Sequence, residues 1–237
     1  MSKLDISRDE SVMVSGIGCS SRTPGYMDIN TLHTTHGRAL PFATGVKLAN
    51  PDLKVIVITG DGDATAIGGN HFIHAARRNI DLTVLLYNNY IYGMTGGQCS
   101  PMTPIGSKAS TAQHGNLEPS FNTSGLAIAA GASFVARTDV YHVQQCEKFI
   151  SKALQKKGFS LVEIMTPCPT AYGRRNKMAS PVKMMEWLKD YMVPVAKYEK
   201  MTDEERVGKV SAGILYDVEK SEFTAEYDKL IKQVRTE

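Results

Sequence analysis

Apolar residues in this chain fall into short unbroken runs separated by stretches with helical spacing. The run K-V-I-V-I-T at 54–59 is β-branched and apolar, as in a strand buried on both faces. A second run, L-T-V-L-L-Y, fills 82–87, and the pattern between them predicts a helix over 66–78. Residues 11–15 predict a further strand, followed by a glycine-rich turn at 16–20. Residues 38–49 predict a helix that stops before Pro51. Downstream, 125–132 reads as a helix of small residues and 134–137 as a strand. An amphipathic helix over 140–157 ends at Gly158, and a last strand over 160–165 runs into Pro167-Cys168-Pro169. Such alternation predicts an α/β fold: a doubly wound, mostly parallel sheet, helices on both faces, ligands at the carboxyl strand ends.

Two segments break the alternation. Between 89 and 121 there is almost no periodic pattern, and Gly, Ser, Thr and Pro dominate. So long a loop in a compact domain is usually functional or mobile; an active-site cover and plain disorder are the two readings. Beyond Tyr172 the character shifts. Residues 181–191 predict a helix with Met184, Met185, Trp187 and Leu188 available for one face. Residues 203–237 are highly charged and read as a solvated or partner-packing tail. The expected division is an α/β domain over 1–178 and a helical C-terminal extension over 179–237.

Composition fits an enzyme subunit in solution. The 237 residues suffice for one sizeable core, and a net charge of +3 with no basic tract argues against nucleic acid. No apolar run approaches a membrane span, and the acid-bearing start M-S-K-L-D-I-S-R-D-E is unlike a signal peptide. A cytoplasmic protein is expected. The four cysteines, Cys19, Cys99, Cys146 and Cys168, are then thiols or metal ligands rather than disulfides.

The chemistry concentrates at the ends of the two strongest strands. Gly60-Asp61-Gly62-Asp63 ends the first, and Asn88-Asn89 ends the second. In a β-α-β unit these ends face the same way, about 5 Å apart if the strands are neighbours. Asp61 and Asn89 then supply a carboxylate and an amide oxygen at one spot. With a nearby backbone carbonyl they suit Mg²⁺, which takes one or two carboxylates and fills its shell with phosphates and water. Gly60 and Gly62 let the backbone turn and approach a ligand, and amides opening the next helix face phosphate oxygens. Alone, G-D-G-D is equally a strand-to-helix turn with an aspartate cap; the asparagine pair favours the diphosphate site.

G-D-G followed, one helix and one strand later, by N-N resembles the thiamine-diphosphate motif. The whole stretch G-D-G-D-A-T-A-I-G-G-N-H-F-I-H-A-A-R-R-N-I-D-L-T-V-L-L-Y-N-N-Y-I-Y-G-M-T-G-G-Q is similar to the β subunit of 2-oxoacid:ferredoxin oxidoreductases. S-G-I-G-C-S at 15–20, H-T-T-H-G-R-A-L-P-F-A-T at 33–44 and T-P-C-P-T at 166–170 fit the same family. The likeness covers about 12–178, and Y-G-R-R-N-K at 172–177 most resembles the 2-oxoglutarate branch.

The resemblance implies a thiamine-diphosphate-binding fold and assigns roles. Asp61 and Asn89 ligate Mg²⁺, with the carbonyl of Ile91 third. Gly60, Gly62 and Asp63 touch the diphosphate or its metal shell, Asp63 being alternatively a helix cap. Gly93 and Met94 lie near the same diphosphate, and Ile17, Gly18, Cys19 and Ser20 line the cofactor pocket. His36, with Gly37 and Arg38 beside it, stands near the cofactor. His33 is open between that role and structure. His71 and His74, three apart on a predicted helix, favour structure. Cys19 and Cys168 correspond to two ligands of a four-iron, four-sulfur cluster. The family's other two come from an N-terminal C-x-x-C, absent here, and Cys99 and Cys146 do not replace it by spacing. Three explanations stand: a shortened sequence or misplaced start, which is favoured; completion by another chain; or no cluster.

The implied reaction is CoA-dependent oxidative decarboxylation of 2-oxoglutarate to succinyl-CoA, with electrons passed to ferredoxin. The glutamate that activates the cofactor is expected on a partner α subunit, so the chain acts only with that partner. Pyruvate or a branched 2-oxoacid is the alternative substrate, and a cofactor-binding assembly subunit lacking a complete cluster is the alternative role. A dinucleotide oxidoreductase is disfavoured, because G-I-G-C-S-S at 16–21 fails the G-x-G-x-x-G pattern at its third glycine. A non-oxidative decarboxylase is disfavoured by the two placed cysteines.

Overall fold

The protein is described from a computed structural model covering residues 4–236. Its strands are β1 (Ser11–Ser15), β2 (Asn30–His33), β3 (Lys54–Gly60), β4 (Thr83–Asn88), β5 (Ile91–Tyr92), β6 (Gln98–Cys99), β7 (Phe134–Asp139), β8 (Ser160–Met165), β9 (Met192–Pro194) and β10 (Val210–Asp217). Its helices are α1 (Ala39–Ala49), α2 (Asp61–Thr65), α3 (Gly69–Arg77), α4 (Thr123–Ala130), α5 (Val143–Gln155), α6 (Pro181–Tyr191), α7 (Val195–Tyr198), α8 (Asp203–Arg206) and α9 (Phe223–Thr236). The main sheet has the order β2-β1-β3-β4-β8-β7-β10-β9, and β5 and β6 form a separate antiparallel pair.

The first six strands of that order are parallel, β10 is antiparallel to β7, and β9 is parallel to β10. Side chains of β3 and β4 alternate between the sheet's two faces. Val55, Val57, Val84 and Leu86 join one core with buried residues of α1, α3 and α4. Ile56, Ile58 and Leu85 join the other with Phe149, Ala153 and Leu154 of α5. Burial on both faces is why these strands are apolar runs rather than alternating patterns. No helix among the described residues is long and apolar enough to cross a membrane.

Most predicted elements stand within three residues of their expected bounds, and the differences have local causes. The helix expected over 66–78 is split. G-D-G-D itself forms the first turn as α2, and α3 starts at Gly69. Between them a Cβ on Gly68 would stand 2.3 Å from the carbonyl oxygen of Asp63, so the chain folds back tightly there. The tail over 203–237 is not wholly outside the sheet: β10 pairs with β7. Gly213 (φ +144°) and a register shift between Ile214 and Tyr216 interrupt its alternation. Ser180 caps α6 by accepting from the amide of Lys183, and Pro181 fills the first helical position.

The 89–121 segment is built rather than loose. Thr103 Oγ1 donates to the Tyr90 carbonyl at 2.6 Å, and the Asn116 amide donates to the Thr103 and Glu118 carbonyls. Asn176 exchanges hydrogen bonds with the backbone of Lys108, and Arg175 donates to the Gly96 carbonyl. Part of the Y-G-R-R-N-K run is therefore a latch on this segment.

Candidate active site

A cavity of about 710 Å³ opens at the carboxyl ends of β1, β3, β4 and β8. The β3–β4 register pairs Gly60 with Tyr87, so the two motif-bearing strand ends are adjacent. Asp61, Asn89 and Ile91 all line this cavity. Asp61 opens α2 and is buried, and Ser100 Oγ donates to its Oδ2. Burial pushes its carboxyl up to about 7, against the Ser100 hydroxyl and the backbone amides of Gly62, Asp61 and Asn89, which pull it down. Among the described residues no cation is among the main groups that act on it. A buried carboxylate without a counter-charge is costly, and a bound divalent ion removes that cost. Asn89 Oδ1 accepts from the Ile91 amide at 3.2 Å and keeps a second lone pair for an ion. The donor set of carboxylate, amide oxygen and backbone fits Mg²⁺.

Asp63 lines the same cavity, yet its oxygens are taken by the protein. Oδ1 accepts from the amides of Ile17 at 3.2 Å and Gly37 at 2.7 Å. Oδ2 accepts from Thr59 Oγ1 at 2.7 Å. His36 Nδ1 stands 2.8 Å from Oδ1 without hydrogen-bond geometry. Asp63 therefore ties the loops after β1 and β2 to the G-D-G-D turn.

Cys19 and Cys168 come together. A Cβ on Gly93 would lie 3.4 Å from each of their sulfurs. Burial, then the neighbouring Cys168 and, more weakly, Asp61 push the Cys19 thiol up, opposed by the backbone amides of Met94 and Cys19. Among the described residues no third metal-ligating side chain joins them, and a four-iron cluster takes four thiolates. The residues present supply half of that set.

The family described as "Thiamine pyrophosphate enzyme, C-terminal TPP binding domain" matches residues 16–164. The 2-oxoglutarate synthase subunit KorB of Methanocaldococcus jannaschii is 52% identical over 235 residues, 99% of this chain and 87% of the relative. KorB of Archaeoglobus fulgidus is 55% identical over 188 residues, 79% of this chain and 68% of the relative. A solved 2-oxoglutarate:ferredoxin oxidoreductase from Magnetococcus marinus, with 2-oxoglutarate, coenzyme A and succinyl-CoA bound, matches 99% of this chain and 80% of its own. Its TM-score is 0.88 at 33% identity. The chain belongs to the 2-oxoacid:ferredoxin oxidoreductase β subunits.

As such a β subunit it is one part of a multi-subunit oxidoreductase, and it carries a thiamine diphosphate-binding domain. Ile17, Gly18, Cys19 and Ser20 line its cavity, as do His36, Gly60, Gly62, Gly93 and Met94. Ser20 Oγ is buried without a partner, so a donor waits at the cavity wall. Gly37 and Arg38 are not in the lining; Gly37 gives its amide to Asp63, and the Arg38 guanidinium donates to the Ile67 carbonyl. His33 meets Ser15 Oγ at 3.1 Å, and His74 accepts from Arg77. His33, His71 and His74 lie outside the cavity lining, as do Cys99 and Cys146.

Sequence patterns did not single out Ser100, Tyr92 or Thr166. Tyr92 packs its ring where a Cβ on Gly62 would be, and its hydroxyl donates to the Gly62 carbonyl at 3.1 Å. Thr166 lines the cavity and donates its amide to the Asn88 carbonyl. Ser100 sits in the patternless segment, where its neighbours in sequence say nothing of Asp61.

Proposed function

We propose that this β subunit binds thiamine diphosphate through Mg²⁺ held by Asp61, Asn89 and the Ile91 carbonyl. With a partner α subunit it then performs CoA-dependent oxidative decarboxylation of 2-oxoglutarate to succinyl-CoA, with electrons delivered to ferredoxin. The observation that carries this reading is the buried Asp61 carboxylate, with no cation among its main partners in the described residues, beside Asn89 in one cavity.

Thiamine diphosphate, when bound, supplies the nucleophilic carbon and the electron sink that the 2-oxoacid requires. This chain's residues bind and orient it. Asp61 would give a negative charge to the metal, and Asn89 would add a neutral oxygen. Gly60 leaves its backbone bare beside Ser20 Oγ, a donor without a partner among the described residues, whereas the space a side chain on Gly62 would need is filled by the Tyr92 ring. Tyr92 packs over Gly62 and donates its hydroxyl to the Gly62 carbonyl. Asp63 acts one step back, fixing Ile17 and Gly37. Cys19 and Cys168 bring two thiols to Gly93, half of what a four-iron cluster takes.

The substrate assignment rests on the relatives, whose names are 2-oxoglutarate synthase and 2-oxoglutarate:ferredoxin oxidoreductase. The test is CoA-dependent reduction of ferredoxin or a viologen by the chain co-expressed with its α subunit, across a panel of 2-oxoacids. 2-Oxoglutarate should give the highest kcat/KM. An equal or higher value for pyruvate overturns the substrate assignment, and no 2-oxoacid-dependent reduction overturns the enzyme reading.

A further inference from the structure

We infer that the buried Glu163–Arg137 pair, acting through Asn88, positions the turn that carries the metal ligands. This rests on the assignment of Asn89 and Ile91 to the metal. Glu163 lies in the middle of β8, in a strand buried at every position. A carboxylate there is expensive, and a buried ion pair does little better for stability than apolar residues of the same size. Its partners give the reason for its presence. Oε2 accepts from Arg137 Nε at 2.8 Å and from Ser124 Oγ at 2.7 Å. Oε1 accepts from Asn88 Nδ2 at 3.0 Å.

Asn88 immediately precedes the proposed ligand Asn89, and the two side chains face different cavities. Asn89 and Ile91 line the cofactor cavity, whereas Asn88 and Tyr90 line a second one, about 360 Å³, with Glu163 and Arg137. The turn is the wall between them. Held by Glu163, Asn88 presents Oδ1 to the amide of Tyr90 at 3.1 Å. Tyr90 sits at φ +64°, a left-handed conformation that is costly for an aromatic residue and persists only where its surroundings enforce it. Thr103 Oγ1 grips the Tyr90 carbonyl at 2.6 Å, and Tyr191 meets its hydroxyl at 2.7 Å. The strained residue between Asn89 and Ile91 is thus clamped from the rear. The clamp arranges the ligands before any metal arrives, and Glu163 is a positioning residue.

The test uses the full chain with its partner subunit, stripped of metal and titrated with Mn²⁺ in saturating thiamine diphosphate. Free Mn²⁺ is read by electron paramagnetic resonance, and thermal stability is measured alongside. Glu163→Gln and Asn88→Asp should each weaken Mn²⁺ binding about tenfold or more, the usual scale for partners that orient metal ligands. The double variant exchanges amide and carboxylate across the same hydrogen bond and conserves charge. It should bind Mn²⁺ more tightly than either single variant, because the hydrogen bond between the two positions is restored, while Arg137 keeps only a neutral oxygen. Single variants that bind Mn²⁺ like wild type, whatever their thermal stability, overturn the inference. So does a double variant no tighter than the weaker single one. Hydrogen exchange on the metal-free wild type needs no variant: a protected Tyr90 amide is expected, and free exchange overturns the clamp. Absence of Mn²⁺ binding by the wild type sinks the functional assignment together with the inference. Wild-type binding with indifferent variants sinks the inference alone.

Discussion

A Cβ on Gly16 would stand 2.0 Å from Asp63 Oδ2. The carboxylate occupies the space a side chain would need, because it must reach the amides of Ile17 and Gly37 and the hydroxyl of Thr59 at once. Gly16→Ala should therefore push Asp63 off its donors. Overpacking of this kind costs about 1–3 kcal/mol, measurable by denaturant unfolding. Thiamine diphosphate affinity should fall as the two loops loosen. Unchanged stability and unchanged affinity would contradict the role given to Asp63.

Asp61 makes the metal-free chain sensitive to pH in an unusual direction. Its folded carboxyl titrates at about 7, chiefly through burial, against about 3.9 in an unfolded chain. The folded state holds a proton that the unfolded state has lost. The contribution is fully present below about pH 4 and declines as pH rises to about 7. Metal binding needs the carboxylate, so Mg²⁺ affinity should drop about tenfold per unit below pH 7. Calorimetric Mg²⁺ titrations with thiamine diphosphate between pH 5.5 and 8 check this. Ser100→Ala removes a donor that favours the charged form, and the profile should move to higher pH.

Arg137 neutralises the Glu163 carboxylate inside the sheet. Burial pushes that carboxyl up, but Arg137, Ser124 and Asn88 together hold it below its usual range. Arg137→Met strands a buried charge and should cost about 3–5 kcal/mol by denaturant unfolding. In the wild type the Glu163 contribution is present above its unfolded value of about 4.3 and disappears as pH falls through the depressed folded value. A loss under 1 kcal/mol, within the range of exposed pairs, would contradict the burial of this ion pair.

The two strands ending in Gly60 and Asn88 were legible because burial on both faces leaves continuous apolar runs in the sequence. Asp61 and Asn89 are placed side by side by strand adjacency, and the register of Gly60 with Tyr87 shows that the two strands are neighbours. The proximity of Cys19 to Cys168 came through family likeness; their spacing in sequence does not show it. What stayed hidden depends on contacts between segments far apart in the chain. β10 is interrupted at Gly213 and carries few buried positions, so its pattern resembles a charged tail. Ser100 reaches Asp61 across 39 residues from a stretch without periodicity. The Asn88–Glu163 bond joins two strands that are neighbours in the sheet but 75 residues apart in sequence. Asp63, open in the sequence between a diphosphate contact and a helix cap, accepts from the amides of Ile17 and Gly37 and from the Thr59 hydroxyl.

Asp61 is proposed to hold the metal that anchors thiamine diphosphate. This is tested most directly by measuring thiamine diphosphate binding to the Asp61→Asn variant of the assembled complex at saturating Mg²⁺. The amide keeps the shape and removes the charge. Saturable binding is expected for the wild type and a loss of about a hundredfold or more in the variant, the scale of removing one partner from a buried charged contact. Wild-type affinity in Asp61→Asn would contradict it.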